Sequence, residues 1–259
     1  MARIPARDGI ELHVESHGDG PPIVFSCGYS TTRENFRPQV EPLVAAGHRV
    51  LLWDYRGHGG SDAPPGPYTI DLLGRDVLAL LDHLDIERAH FVGLSMGGVI
   101  GQWLGAHAPG RLHKLVLANT ASRIGTEEGW RARAAAVRAG GMSDVAAGAP
   151  GRWFTPEFVA RQPVVVGSMQ KTLRGLDPEG YAACCEALAV ADLSGDVRRI
   201  CAPALVIAGI LDPVTTELDA QSLADAIPGA TLARLPASHL SNIEAPDRFS
   251  DLVATFLSA

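Results

Sequence analysis

Short apolar runs alternate with helical patterns through the first half of the chain. Four runs have the length of buried strands: Ile23–Cys27, Arg49–Trp53, His90–Gly93 and Lys114–Ala118. Between the second and third runs, apolar residues from Leu73 to Leu84 recur at i, i+4, i+7, i+8 and i+11, which is typical of an amphipathic helix packed on a sheet. Strands that alternate with helices in this way predict a parallel sheet in an α/β fold.

The N-terminal stretch has the alternation of a half-buried strand. Residues Ile10–Glu15 alternate apolar and polar side chains, and the glycine- and proline-rich segment Gly18–Pro22 separates them from the first buried run. A turn between two strand patterns is typical of a β-hairpin. We therefore expect a hairpin that leads into the buried strand at residues 23–27.

The middle of the chain has a different pattern. Residues 122–195 show no strand pattern and contain several short helical stretches, broken by glycine and proline. We interpret this segment as a helical cap inserted into a core formed by residues 1–121 and 196–259. The core is expected to be an α/β fold with a mostly parallel sheet of about eight strands, flanked by helices.

The C-terminal part returns to the core pattern. Strand-like runs follow at Ala204–Ala208 and Thr231–Leu235, and a helix with one apolar face begins at Pro246. The chain has 259 residues, of which 46% are hydrophobic, which is enough for a substantial core. The sequence shows no internal repeat.

Charge and composition restrict the classes of molecule that this protein is expected to bind. The net charge of -7 argues against nucleic acid and anionic membranes, so a small molecule is the expected ligand. No apolar run approaches the roughly 20 residues of a membrane helix, and the N-terminus lacks a signal-peptide core, which favours a cytoplasmic protein. Four cysteines form no C-x-x-C pair or zinc spacing, so we expect buried thiols and no metal site.

The segment Gly93-x-Ser95-x-Gly97 lies between a predicted strand and a predicted helix. This context is typical of a nucleophile elbow, in which a tight turn exposes a serine hydroxyl and small neighbours make room for it. Glycines 97, 101 and 105 then share one helix face. Because each interior glycine costs a helix about 1 kcal/mol relative to alanine, this face indicates a helix packed closely on the sheet.

A serine nucleophile needs a base, and the base needs an acceptor that orients it. Asp212 follows the strand at residues 204–208, and His239 lies between the last strand and the last helix. The chain order Ser95, Asp212, His239 is the order of an α/β-hydrolase triad. Asp212 as a turn cap, His239 as a surface residue and His58 as the base remain alternative interpretations.

An oxyanion hole requires two backbone N–H groups directed at the developing charge. Met96, directly after the nucleophile, is expected to supply the first. The second is expected from Tyr29, in the loop after the strand at residues 23–27.

Three core motifs resemble those of the α/β-hydrolase superfamily: Gly93-x-Ser95-x-Gly97-Gly98, Asp54-x-Arg56-Gly-x-Gly59-x-Ser61 and Gly209-x-x-Asp212. The cap and the C-terminal third are similar to those of 3-oxoadipate enol-lactonases, at Arg131-x-Arg133, Trp153-Phe-Thr-Pro156, Gly180-Tyr-Ala-Ala-Cys-Cys185 and Ala237-Ser-His-Leu-Ser-Asn-Ile-Glu244. One loop departs from the family pattern: Phe25-Ser-Cys-Gly-Tyr-Ser-Thr-Thr, after the first buried strand, differs from the sequence usual in this family.

This resemblance implies a cytoplasmic serine hydrolase of aromatic degradation through the β-ketoadipate pathway. It implies an acyl-enzyme on Ser95 and no metal or organic cofactor. Since the enol-lactone carries a carboxylate, the cap is expected to offer a cation, with Arg131 and Arg133 as candidates and Trp130 and Trp153 as cavity walls.

Other functions use the same triad. A carboxylesterase or another lactonase would act on neutral esters, and a cofactor-free perhydrolase or haloperoxidase would transfer the acyl group to peroxide. A ligand-binding receptor without activity is a further alternative. Dehalogenase chemistry would require an aspartate at position 95.

Overall fold

The computed structural model describes residues 2–258, which fold around one eight-stranded sheet. The strands in chain order are β1 (Ala2–Pro5), β2 (Glu11–His17), β3 (Pro22–Ser26), β4 (Arg49–Asp54), β5 (Ala89–Leu94), β6 (Leu112–Ala118), β7 (Ala204–Gly209) and β8 (Thr231–Leu235). Their order across the sheet is β1-β2-β4-β3-β5-β6-β7-β8. All neighbours from β4 to β8 are parallel, so the predicted mostly parallel sheet of about eight strands is confirmed.

Helices occupy the connections between the strands. Those before the cap are α1 (Arg37–Ala45), α2 (Ile70–His83) and α3 (Met96–His107). The segment between β6 and β7 contains α4 (Glu127–Gly140), α5 (Ser143–Ala147), α6 (Pro150–Trp153), α7 (Pro156–Arg161), α8 (Pro163–Arg174) and α9 (Pro178–Val190). The chain ends with α10 (Glu217–Ala226), α11 (Ser241–Glu244) and α12 (Pro246–Ser258). No helix within residues 2–258 is both long and apolar enough to cross a membrane.

The predicted hairpin between residues 10–15 and 23–27 is wrong. Strand β2 pairs antiparallel with β1 on one side and with β4 on the other, and β3 lies beyond β4. The loop after β2 passes over the turn before β4, because Gly18 and Gly20 adopt positive φ and pack against the backbone at Gly47 and His48. Glycine permits both the conformation and the close approach, so the chain crosses one strand position before it re-enters the sheet.

Helix α3 packs close to the centre of the sheet, as its glycine spacing predicts. A Cβ atom added at Gly101 would lie 3.0 Å from the Phe91 ring, and one at Gly105 would lie 3.0 Å from the Ile200 side chain. Both distances leave no room for a methyl group without displacement of the neighbours. The glycine face therefore sets how near α3 lies to the strand that precedes it.

The segment between β6 and β7 is helical, and α4 packs along α9 within it. The division of the chain into a core of residues 1–121 and 196–259 and a cap of residues 122–195 remains a prediction. Four aromatic residues of the segment between β6 and β7 are each at most 8% exposed: Trp130, Trp153, Phe154 and Tyr181.

Three histidine rings lie together where the central strands β4, β5 and β6 begin. The His90 ring centroid is 5.9 Å from that of His48 and 5.4 Å from that of His113. The Nδ1 atoms of His48 and His90 are buried without a hydrogen-bond partner among the described residues. Burial, and the neighbouring His113, His48 and Lys114, lower the pKa of His90 to about 4.

This burial predicts a stability that falls with acidification. An unfolded chain binds a proton to His90 near pH 6.5, whereas the folded chain binds it near pH 4, so acid between these values favours unfolding. The contribution from one histidine is up to about 1.4 kcal/mol per pH unit. We expect His90→Phe to flatten the free energy of unfolding between pH 6.5 and 4, measured by urea denaturation. The exposed His83→Gln variant is the control, and equal slopes in both variants would contradict the prediction.

Candidate active site

The backbone at Ser95 joins β5 to α3 in a strained turn. Ser95 has φ 55° and ψ -118°, which a non-glycine residue adopts only under constraint. A Cβ atom at Gly93 would collide with the Gly97 carbonyl, and one at Gly97 would collide with the Ser26 carbonyl. Thr120 Oγ1 donates to the Ser95 carbonyl oxygen at 2.8 Å and fixes the turn from the other side. This is the geometry of a nucleophile elbow.

Three side chains from separate loops meet at this turn. Nε2 of His239 lies 3.0 Å from Oγ of Ser95, and Nδ1 of His239 lies 2.8 Å from Oδ2 of Asp212. All three residues are at most 6% exposed. With Nδ1–H donating to the carboxylate, Nε2 is free to accept the serine proton. The structure therefore brings together the three residues that the sequence predicts as a triad.

The Asp212 carboxylate is held by four further donors. Oδ1 accepts from the amides of Val214 at 2.7 Å and Thr215 at 3.1 Å, and Oδ2 accepts from Thr215 Oγ1 at 2.8 Å and Asn119 Nδ2 at 3.0 Å. Burial raises the pKa of Asp212, but the hydrogen bond and charge of His239, together with these donors, bring the pKa below its ordinary value. The group is therefore an ionised acceptor for His239.

Asn119 is a functional candidate that the sequence reasoning missed. It adopts φ 45° directly after β6, and its Nδ2 donates to Asp212 and to the Ser238 carbonyl at 3.2 Å. Its Oδ1 accepts from Ser241 Oγ at 2.5 Å. Asn119 thus connects the loops that carry Asp212 and His239. The sequence did contain a signal for Asn119: it directly follows a predicted strand, and the carboxyl ends of parallel strands are where ligand sites form.

The loop after β3 presents a backbone amide beside the nucleophile. The Gly28 carbonyl accepts from Tyr55 Oη at 2.7 Å, and the Tyr29 carbonyl accepts from His58 Nε2. Because a trans peptide directs its N–H opposite to its C=O, the bond to Tyr55 turns the Tyr29 amide away from Tyr55. A Cβ at Gly28 would lie 3.3 Å from Ser95 Cβ, so this peptide borders the nucleophile.

The amides of Tyr29 and Met96 are the two predicted oxyanion donors. Within residues 2–258, neither N–H donates to a protein acceptor. Two unengaged donors on the peptides next to Ser95 are what an oxyanion hole requires, so both assignments remain predictions.

His58, the alternative base, is engaged elsewhere. It is buried with Nε2 on the Tyr29 carbonyl and Nδ1 3.9 Å from Cys184 Sγ. Burial lowers the pKa of His58 to about 4. Ser95 Oγ is bonded to His239 instead.

Comparisons with known proteins agree with this geometry. Residues 21–152 match the family model for the alpha/beta hydrolase fold. The chain is 46% identical to 3-oxoadipate enol-lactonase 2 of Acinetobacter baylyi over 91% of this chain and 88% of that protein. It is 40% identical to 3-oxoadipate enol-lactonase 1 of the same organism, over 99% and 96%. The crystal structure of the enol-lactonase from Burkholderia xenovorans LB400 superimposes with a TM-score of 0.97 at 43% identity, covering 100% of both chains.

The chain belongs to the α/β-hydrolase family. The predicted class, a carboxylic ester hydrolase that resembles enol-lactonases, is confirmed by these relatives. The predicted fold is confirmed with it.

A cavity of about 390 Å³ in this hydrolase opens beside His239. Trp130 and Trp153 form part of its wall, as the sequence suggested. Trp130 Nε1 donates to the Ile124 carbonyl at 2.5 Å, and Trp153 Nε1 donates to Ser30 Oγ at 3.2 Å. Because both indole N–H groups are already bonded to protein, the rings contribute mainly apolar surface to the cavity.

The two predicted cap arginines have different positions. Arg133 lines the cavity, donates from Nη1 to Tyr29 Oη at 3.2 Å and lies 5.7 Å from the Trp130 ring centroid. Arg131 lies outside this cavity, 56% exposed, and pairs with Glu127 at 2.9 Å. The structure thus places Arg133 in the wall of the cavity beside His239 and leaves Arg131 on the surface.

The elbow glycine predicts a sharp intolerance of side chains. We expect Gly97→Ala to lower the free energy of unfolding by about 3 kcal/mol or more, since its Cβ meets the Ser26 backbone, which cannot move aside. Gly167→Ala, inside α8 with no atom within 4 Å of its Cβ, is the control and should gain up to about 1 kcal/mol. Urea denaturation followed by circular dichroism measures both. A Gly97→Ala protein of wild-type stability would contradict the described packing.

The bond from Tyr55 to Gly28 predicts a role in positioning the oxyanion loop. We expect Tyr55→Phe to lower kcat for ester hydrolysis about tenfold with little change in KM, because a misaligned amide stabilises the transition state less. Tyr68→Phe is the matched control: this buried tyrosine also donates to a backbone carbonyl, that of Pro64 at 2.6 Å, outside the oxyanion loop. Equal kinetic losses in the two variants would point to general destabilisation instead.

Proposed function

We propose that this hydrolase opens a small lactone ring and that its substrate is 3-oxoadipate enol-lactone, released as 3-oxoadipate. The names of the two curated relatives support the substrate class. The observation that carries the proposal is Arg133, a cation in the cavity wall that forms no ion pair with a carboxylate among the described residues. Arg133 is half-buried, and a partly desolvated charge without an acidic partner is unfavourable, so its presence favours an anionic ligand.

In the first step Ser95 Oγ attacks the lactone carbonyl carbon while His239 Nε2 takes the serine proton. Asp212 keeps the imidazole oriented through Nδ1 and stabilises the imidazolium that forms. The amides of Tyr29 and Met96 donate to the oxyanion of the tetrahedral intermediate. The contacts that support these roles are those of the triad and of the oxyanion loop.

Collapse of the intermediate breaks the ring C–O bond and leaves the acyl group on Ser95. The leaving oxygen departs as an enolate, which takes the proton from the His239 imidazolium and so returns the histidine to its neutral form, and the enol then tautomerises to the ketone. Water then attacks the acyl-enzyme as His239 accepts its proton, and Ser95 leaves with a proton from the imidazolium. The product carries the carboxylate of the substrate and a second one from the opened ester.

In this proposal the substrate carboxylate binds Arg133 in the cavity wall. The guanidinium is already held by Tyr29 Oη and the Trp130 ring face, so it is oriented before substrate enters. Arginine offers a planar pair of donors that matches a carboxylate. Trp130 and Trp153 would confine the apolar part of the lactone.

The proposed setting is the cytoplasm, and the proposed pathway is aromatic degradation through β-ketoadipate. Both rest on the sequence and on the relatives' names.

Ultraviolet-monitored hydrolysis of 3-oxoadipate enol-lactone, beside p-nitrophenyl acetate, tests the proposal. We expect a higher kcat/KM for the lactone and a loss of about 10⁴-fold or more in Ser95→Ala for both substrates. Arg133→Gln should raise KM for the lactone about 10- to 100-fold and leave KM for the neutral ester nearly unchanged. Arg131→Gln is the matched control from the same helix.

A neutral ester preferred over the lactone would contradict the proposal and favour a general carboxylesterase. Rapid peroxide-dependent halogenation in acetate, with the lactone ignored, would favour a perhydrolase. A well-folded wild-type protein that hydrolyses neither substrate and resists a fluorophosphonate probe would favour a binding protein.

A further inference from the structure

The cavity contains a second arginine that the sequence reasoning did not select. Arg152, in α6, lines the same cavity as Arg133. Its Nη2 donates to the Val145 carbonyl at 3.2 Å, and no carboxylate among residues 2–258 forms an ion pair with it. No acidic side chain among the described residues therefore neutralises the charge of Arg152.

Two other arginines of the same helical segment are paired. Arg131 pairs with Glu127 at 2.9 Å, and Arg138 pairs with Glu179 at 2.6 Å and with a second glutamate at 2.5 Å. These pairs lie on the outer surface, where water already screens the charges. Arg131 and Arg138 therefore have acidic partners, whereas the two arginines that line the cavity have none among residues 2–258.

The two cavity arginines act on one neighbouring group. Burial raises the pKa of Tyr29, and the positive charges of Arg133 and Arg152 both oppose that rise. Arg133 Nη1 lies 3.2 Å from Tyr29 Oη, and Tyr29, Arg133 and Arg152 all line the same cavity. Two cations within one small cavity repel each other unless an anion of matching charge lies between them.

We propose that Arg133 and Arg152 form a two-cation site that binds a short dicarboxylate, one arginine to each carboxylate. The inference rests on the proposed function, because opening the ring turns a monoanion into a dianion at this position. The substrate engages Arg133, and the second carboxylate, once water has released it from Ser95, engages Arg152. The enzyme consequently binds short dicarboxylates more tightly than monocarboxylates of equal length, and dicarboxylates inhibit it competitively.

The test uses adipate and hexanoate, which have the same chain length and differ by one carboxylate. Isothermal titration calorimetry on the wild-type protein should give a Kd for adipate about tenfold or more below that for hexanoate. In Arg133→Gln and in Arg152→Gln, adipate should bind no more tightly than hexanoate. Arg131→Gln, a surface arginine of the same segment, should keep the wild-type ratio.

Equal affinities of the wild-type protein for adipate and hexanoate would overturn the inference without any variant. So would an unchanged adipate affinity in a folded Arg152→Gln protein. If a variant fails to fold, the salt dependence on the wild-type protein decides: adipate must lose affinity more steeply than hexanoate as ionic strength rises.

The outcome is separable from that of the proposed function. A protein that ignores the enol-lactone but shows the adipate preference keeps the two-cation site and loses the lactonase proposal. A protein that hydrolyses the lactone but binds both acids equally keeps the lactonase proposal and loses this site.

Discussion

The contact between the first turn of α3 and the end of β3 is the constraint on which the site depends. The Gly97 amide donates to the Cys27 carbonyl at 3.1 Å, and no side chain fits between the two backbones. Ser95 lies two residues before this contact and Gly28 follows it directly, so the nucleophile and the oxyanion loop are positioned together. The bond from Tyr55 then fixes the orientation of the loop peptide. Backbone packing thus sets the spacing that the proposed chemistry needs.

A second layer of hydrogen bonds supports the acid and the base. Asn119 contacts the Asp212 carboxylate, the Ser238 carbonyl and the Ser241 hydroxyl, so it links the loops after β6, β7 and β8. With these donors in place, Asp212 remains ionised despite burial. A network whose members are all satisfied is rigid, which favours a fixed orientation of His239.

The charge distribution differs sharply between the surface and the cavity. The chain carries a net charge of -7, yet the cavity beside the triad has two arginines without acidic partners. The net charge therefore helps to predict which macromolecules the protein can bind, but it does not predict the charge of a ligand in one cavity. In this hydrolase, the local balance favours an anion.

The sequence by itself determined the features that depend on local chain geometry. The alternation of apolar runs with helical patterns predicted the parallel sheet, and the elbow glycines with the order of Ser95, Asp212 and His239 predicted the cluster that the structure assembles. The sequence also indicated the family, because a nucleophile elbow followed by an acid and a base at later strand ends is typical of α/β-hydrolases. Neighbours along the chain decide the strands, the helices and the elbow, and the shared carboxyl edge of a parallel sheet then brings the ends of distant strands together, so the pattern is sufficient.

Tertiary structure alone decided which residues face the cavity and which strands pair. Arg131 and Arg133 are two positions apart on α4, about 200° around the helix, so only one can face the cavity, and sequence alone does not say which. Arg152 lies on another short helix, so only the fold places it beside Arg133. Strand β1 has a single buried side chain and gives almost no pattern, although β2 pairs with it. Contacts between distant segments decide these features, and local periodicity carries no record of them.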